Sequence, residues 1–222
     1  QQDAISQRDA GWIQLFACDH QQIIDTVIQA FAIAETVSIP VMVCYDGYLL
    51  SHTYMPFDVP ESDTVDAFLP AFTPEYALNP AAPCNLNTVT LPDIRPDVRG
   101  NTAPGYMEIR HNLHTDMRDA LDVIKTVDEK FYDTFGRGGH CFLEPYKCEN
   151  AEYITVCMGS LSYQLRDVVD ALRKDGVNIG VCGLRVHRPF PDAAVREAFG
   201  AAKGIIVMEK ALSYGYEGAL YT

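Results

Sequence analysis

Residues 12–46 read WIQLFACDHQQIIDTVIQAFAIAETVSIPVMVCYD, and three periodicities follow one another within them. Trp12 to Cys18 is a short apolar run. From His20 to Glu35 the apolar residues Ile23, Ile24, Val27, Ile28, Phe31 and Ala34 recur at the spacing of a helix, and Asp19 stands where an N-cap would. Pro40 then precedes VMVCY, a β-branched run that ends at Asp46-Gly47. The order is strand, helix, strand. Both strands are apolar throughout rather than alternating, as expected of parallel strands covered on both faces.

The alternation returns after residue 151. YITVCM reads as a strand, Leu161, Leu165, Val168, Val169 and Leu172 as a helix stripe, and NIGVCGLRV as a strand. PFPDAAVREAF follows as a short helix with Pro191 near its start, and GIIVME as a third strand. Between the two units, Pro56 to Pro104 holds nine of the chain's 13 prolines with little periodicity, an irregular excursion that is functional, lies against another subunit, or is a flexible linker. A helix is expected from about Asp116 to Phe135, with Gly136 at its C′ position, joining two domains. The expected fold class is α/β with two parallel-sheet domains. The expected divisions are 1–57, an irregular stretch 58–115, a connecting helix and linker 116–150, and a second domain 151–222. A start at Gln1 and a stop at GALYT suggest a piece of a longer chain.

Across 222 residues, 48% hydrophobic and 21% charged is a globular balance that excludes disorder and collagen. No run of 18 apolar residues and no basic, apolar leader is present, so membrane spanning and secretion are not expected. The net charge of −13 belongs wholly to residues 1–150, where 9 Lys+Arg face 22 Asp+Glu, while 151–222 hold 8 of each. Nucleic acid is a poor partner for such a surface. Docking to cationic subunits and a solvated acidic face both suit it. The seven Cys form no C-x-x-C pair, and Cys18, Cys44, Cys157 and Cys182 sit in or at the ends of apolar runs. They read as buried reduced thiols in a cytoplasmic, reducing compartment, not as metal or cluster ligands of this chain.

Arg8 is the only Lys or Arg before Arg95 and lies just ahead of the first strand. Its guanidinium suits a planar carboxylate; an ion pair with Asp3 or Asp9 is the plainer alternative. Ser51 and His52 follow Asp46-Gly47 at a strand's carboxyl end, where open α/β sheets place ligands, although a turn His that only satisfies backbone groups would look the same. Arg185 and Arg188 bracket a strand end, suiting contact with a partner subunit or with phosphate groups, or a structural ion pair. GSLSYQ opens a helix after a strand, so its N–H groups could hold an anion, but it lacks G-x-G-x-x-G and supports no NAD role. His111, His114 and Asp116 lack a fourth ligand, so no metal is expected there. SYGYEG reads as a turn with stacked tyrosines.

SQRDAGWIQLFACDHQQIIDTVIQAFAIAE, IPVMVCYDGYLLSHTYMPFDVP and FLP, followed by MGSLSYQLRDVVDALRKDGVNIGVCGLRVHRPFP and VMEKALSYGYEGALY, resemble the α subunit of the pyruvate:ferredoxin oxidoreductase family of 2-oxoacid oxidoreductases. RD-x-GWIQL, DG-x-x-x-SH and R-x-x-RPFP, in this order, make the resemblance specific. It implies that residues 1–57 are the C-terminal part of a pyrimidine-type thiamine diphosphate-binding domain, and that 151–222 are a truncated transketolase C-terminal-like domain. It implies oxidative decarboxylation of pyruvate to acetyl-CoA and CO2 with electrons to ferredoxin, or the reverse. Thiamine diphosphate with Mg2+ would be shared with a partner domain or subunit. 4Fe-4S clusters and coenzyme A would belong to the complex and not to this chain alone. The implied partners are a thiamine diphosphate-binding β subunit, a γ subunit, a ferredoxin-like δ subunit, ferredoxin and the 2-oxoacid. Arg8 matches the arginine that holds the substrate carboxylate. The ring-activating glutamate and a substrate threonine would lie before Gln1, leaving the catalytic set incomplete. Branched-chain or aromatic 2-oxoacids and oxalate are alternative substrates, and a non-catalytic scaffold subunit is the alternative of another class.

Overall fold

The periodicities of residues 12–46 become backbone in a computed structural model that describes residues 1–69, 71–72 and 106–221. After one helical turn, α1 (Gln2–Ile5), the apolar run forms β1 (Ile13–Phe16), the amphipathic stretch α2 (His20–Val37) and the β-branched run β2 (Val41–Cys44). β1 and β2 pair in parallel, Ile13 beside Val41 and Phe16 beside Cys44. The Asp19 carboxylate accepts from the Gln22 N–H at 2.8 Å and caps α2 as its position predicts.

Single-turn α3 (Leu49–His52) and short α4 (Ser62–Phe68) follow, then the 30-residue α5 (Tyr106–Phe135). α5 begins well before Asp116; its first turns are exposed, Tyr106, Met107 and Ile109 included, and bury no apolar stripe that hydropathy could mark. Gly136 ends it at φ 66, the left-handed geometry foreseen for it. α5 lies along α2. Ala120, Ile124, Val127 and Phe131 complete one core with Ile13, Leu15, Ile28, Ile33 and Phe68. Phe131 meets Phe68 edge-to-face at 5.5 Å. This packing selects the buried face of α2. Val27 and Phe31, both in the predicted stripe, are 39% and 58% exposed, so α2 is apolar on two sides and α5 covers one. Of the expected irregular stretch, Ser62–Phe68 and everything from Tyr106 are helical; residues 73–105 lie outside the described residues.

The second unit comprises β3 (Leu143–Tyr146), β4 (Tyr153–Cys157), α6 (Ser160–Lys174), β5 (Ile179–Leu184), β6 (Val186–Arg188), α7 (Asp192–Phe199) and β7 (Gly204–Val207). Its sheet runs β3-β5-β4-β7, with β4 parallel to both β5 and β7. The α/β class with two parallel-containing sheets stands. Each sheet also carries one antiparallel edge strand that hydropathy did not signal. β3 pairs antiparallel with β5 from within the supposed linker; its sequence, LEPY, is charged and holds Pro145, which an edge strand tolerates. NIGVCGLRV, read as one strand, breaks at Arg185. β5 stays in the second sheet, and β6 crosses to pair antiparallel with β1, so the first sheet is β2-β1-β6. Packing at β5 demands glycine at one point: a Cβ on Gly180 would stand 2.6 Å from the Lys147 carbonyl oxygen and 2.9 Å from Cys148 Cα.

Candidate functional site

Parallel strands point their free ends one way, and here both sheets point them at the same place. Phe16, Met42, Val43, Cys44 and Tyr45, from β1, β2 and the turn after β2, wall a cleft of about 340 Å³ closed by Gln1, Asp3 and Ala4 on one side and by Asp46 and Gly159 on the other. Behind it, Ile5, Phe16, Cys44, Met158, Leu184 and Ala211 form the apolar seam between the units.

Asp46 is the electrostatic centre of this end. Its Oδ2 accepts from the Ser160 N–H at 2.7 Å, and Lys210 Nζ reaches its Oδ1 at 3.2 Å. Burial alone would raise the Asp46 carboxyl, but the hydrogen bonds at Ser160 and the Lys210 ammonium outweigh it, and the group lies below its ordinary value. The anion that the GSLSYQ helix start was suited to hold is therefore this chain's own carboxylate. Gly159 makes the approach possible: its φ is 68, and a Cβ there would lie 3.2 Å from Asp46 Oδ2. Asp46 was visible in the sequence only as part of a turn.

Ser51 and His52 do sit beyond the carboxyl end of β2, on α3, but both are exposed and neither lines the cleft. They bond each other, Ser51 Oγ to His52 Nδ1 at 2.7 Å, and the His52 ring stacks on Tyr48 at 5.3 Å.

Arg8 lies elsewhere. It precedes β1 and contacts Asp9 at 3.4 Å, at the amino end of the strand whose other end forms the cleft. Arg8 is not among the residues that line that cleft. Arg8 shares a second, smaller cleft with Arg188 and with Arg110, Leu113, His114 and Met117, one face of α5 that begins in the ten residues not expected to be helical. Had the helix been read from Tyr106, the i, i+3, i+4, i+7 spacing of those four would have shown that face.

Arg185, the other arginine considered for coenzyme A or subunit contact, is 5% exposed and points inward. Its Nη1 donates to Asp128 Oδ1 at 2.8 Å and its Nη2 to Gln29 Oε1 at 2.9 Å, tying the β5–β6 break to α5 and α2. The plainer alternative weighed for it, a structural ion pair, is what the fold contains. Next in β6, His187 is fully buried with Nδ1 3.1 Å from Gln14 Oε1. Burial, with Arg188 and Arg8 nearby, holds its imidazole down to about 4. Cys18, Cys44, Cys157 and Cys182 are buried free thiols, as their apolar settings predicted. Burial pushes Cys44 and Cys157 up to about 12. SYGYEG is a turn with Gly215 at φ 79, but its tyrosines are not stacked; Tyr214 is 91% exposed.

Phe16, Met42 and Tyr45 give the carboxyl-end cleft apolar walls, and among the described residues no Lys or Arg lines it to meet a diphosphate. Among the described residues no group of three His, Cys, Asp or Glu side chains is placed to hold a metal ion.

Two α/β units that meet at the carboxyl ends of their parallel strands, with a cleft at the meeting point, define a ligand-binding α/β protein. Residues 1–119 match the family model described as "Pyruvate flavodoxin/ferredoxin oxidoreductase, thiamine diP-bdg", and residues 151–222 match "Pyruvate:ferredoxin oxidoreductase core domain II". The chain belongs to the pyruvate flavodoxin/ferredoxin oxidoreductase family. Its similar relatives include pyruvate synthase subunit PorA of Methanothermobacter thermautotrophicus, 38% identical over all of this chain and 55% of the relative. PorA of Methanocaldococcus jannaschii is 39% identical over 99% of this chain and 55% of the relative. Ketoisovalerate oxidoreductase subunit VorA of Pyrococcus horikoshii is 36% identical over all of this chain and 54% of the relative. The chain thus spans about half the length of the curated relatives it matches.

Proposed function

We propose that this chain is the α-subunit portion of a thiamine diphosphate-dependent 2-oxoacid:ferredoxin oxidoreductase of the cytoplasm, with pyruvate as substrate. The observation that carries this reading is that both units of one chain match the family, the first as its thiamine diphosphate-binding domain, with whole-chain identity of 38–39% to subunits named for pyruvate synthase. The carboxyl-end cleft supports it by offering the apolar walls of Phe16, Met42 and Tyr45 in a space large enough for a ring. The exposed Val27 and Phe31 on the outer face of α2 support assembly with further subunits, since a helix apolar on two sides is normally covered on both.

When bound, thiamine diphosphate supplies a stabilised carbanion for attack on the keto carbon. This chain's part is to shelter one side of the ring. Phe16, Met42 and Tyr45 exclude water from it, and Asp46, held ionised by Ser160 and Lys210, fixes the second unit against the first at the cleft's edge. The diphosphate, Mg2+, 4Fe-4S clusters and electron transfer to ferredoxin fall to partner subunits in this reading. A branched-chain 2-oxoacid is the second reading, favoured by the 36% identity to a ketoisovalerate oxidoreductase subunit.

The test is steady-state reduction of ferredoxin or a viologen dye by the complete enzyme with pyruvate or 2-oxoisovalerate, with and without coenzyme A. Coenzyme A-dependent turnover with a higher kcat/KM for pyruvate is expected. A higher value for 2-oxoisovalerate would move the enzyme to the second reading. No turnover with either would overturn the enzymatic assignment.

A further inference from the structure

Cys148 is held differently from the other described cysteines. Lys147, at φ 52, turns the chain out of β3 and lays Cys148 across the start of β5, on the face that Gly180 leaves bare. Side chains two apart on a strand share a face, so Cys182 points to the same side as Gly180. There it is fully buried with Ala151, Ile154, Val156 and Phe199, and the half-buried Cys148 packs against that cluster. The Cys148 thiol lies 3.3 Å from the carbonyl oxygen of Val181, the residue before Cys182, and the two thiols hydrogen-bond each other. Arg173 fixes the turn, its Nη2 donating to the Lys147 carbonyl at 2.8 Å and its Nε to the Ile179 carbonyl at 2.7 Å.

The two sulfurs are not equivalent. The hydrogen bond from Cys182, with the Arg173 guanidinium beyond it, holds Cys148 below its ordinary value, whereas the same contact and burial push Cys182 up. Burial also raises Cys18, Cys44, Cys141 and Cys157. Cys148 is thus the one described cysteine that is both partly open to solvent and inclined to ionise, and beside it stands a second thiol that solvent does not reach. A reactive thiol next to a resolving one is what oxidation turns into a disulfide before it goes further.

We propose that Cys148 and Cys182 form a reversible redox pair that reacts with hydrogen peroxide. The Cys148 thiolate attacks one peroxide oxygen: the S–O bond forms, the O–O bond breaks, and the departing oxygen takes the proton lost by the thiol and leaves as water. The Cys182 sulfur then attacks the sulfenic sulfur: the S–S bond forms, the S–O bond breaks, and the second oxygen leaves as water with the Cys182 proton. Two thiols and one peroxide give one disulfide and two waters, the sulfurs losing the two electrons that the peroxide gains. Sulfurs already in hydrogen-bond contact have only to close to the roughly 2 Å of a disulfide. The bond would pin the turn before β4 to β5 without entering the cleft, whose walls lie at the carboxyl ends of the strands.

The complete enzyme, purified reduced and free of oxygen, is exposed briefly to hydrogen peroxide, alkylated and mapped by mass spectrometry without reduction, as wild type, Cys148→Ser and Cys182→Ser. In wild type a cross-link between the Cys148 and Cys182 peptides is expected to take most of both, and a phosphine reductant to remove it. Cys182→Ser should leave Cys148 as a sulfenic acid that dimedone traps, and Cys148→Ser should leave Cys182 unmodified. Before any oxidant, iodoacetamide should alkylate Cys148 about tenfold faster than Cys141, which is also half-buried but raised by burial. Cys182 lies in the core, so the wild-type map decides if Cys182→Ser does not fold. Equal alkylation of Cys148 and Cys141, a Cys148 that peroxide leaves untouched or carries to the sulfinic acid without a cross-link, or a cross-link through another pair would each overturn the proposal. The readout is a covalent bond, so an inactive enzyme would sink the proposed function and leave this pair standing.

Discussion

Arg185 and His187 are neighbours but one in sequence, and their burial sets two different stability rules. Arg185 and Asp128 are a hydrogen-bonded ion pair in the interior, so Asp128→Asn or Arg185→Met leaves one charge buried without its partner. We expect a loss of about 3–5 kcal/mol in urea unfolding for either single change, and clearly less than the sum of the two for the double variant. Full additivity would mean the pair is not coupled. His187, held near 4 against an ordinary 6.5, acts through protons. Between those values the unfolded chain binds a proton that the native chain refuses. Stability is therefore full above about pH 6.5, falls as pH drops toward 4 and levels off below, by roughly 3 kcal/mol in all. His187→Gln should flatten unfolding free energy across that window. Asp46 works lower, since its carboxyl sits below 3.8: the stability it adds is present above that value and is lost as pH falls through its native one. A variant that kept the full slope between 6.5 and 4 would remove His187 as its source. None of this was legible in the sequence, where RVHR could as well have been a surface strand end.

At the level of elements, hydropathy located what is apolar and missed what is held by neighbours. β1, α2, β2, β4, α6, β5 and β7 all follow their apolar patterns. β3, β6 and the first ten residues of α5 carry weak patterns because one edge or one face of each meets solvent, and a partner strand or helix, not their own period, fixes them. Two substitutions test the packing this produced. Gly180→Ala would push a methyl group into the Lys147–Cys148 backbone, which cannot retreat as a flexible side chain could. We expect a loss of about 1–3 kcal/mol, read as a lower denaturation midpoint at an unchanged slope. Phe131→Ala, which empties the ring cluster with Phe68 and Phe135, should cost about 3–5 kcal/mol. A cost under about 1 kcal/mol would mean that α5 is not seated on α2 as described.

For the whole molecule, the resemblance read the family from short motifs, and the fold class followed from two strand–helix–strand patterns. The relation between the two units did not follow, because contacts over more than 150 residues leave no local period. Arg8 shows the cost of that. Its sequence position suits a ligand arginine, yet nothing near it in sequence shows that Arg188 of β6 lines the same cleft. That this chain spans only about half of each relative leads to a further expectation: the isolated chain, given pyruvate, coenzyme A, thiamine diphosphate and a viologen dye, shows no turnover. Dye reduction by this chain alone would contradict the division of labour proposed above.

The crossing of β3 and β6 means that the boundary in sequence is not a boundary in space. A nick between residues 150 and 151 would leave each fragment holding a strand that completes the other's sheet. Such halves interlock like clasped fingers, so separately made fragments should recover native structure when mixed and remain partly unfolded when kept apart. The same interlock should make the two units melt as a single body.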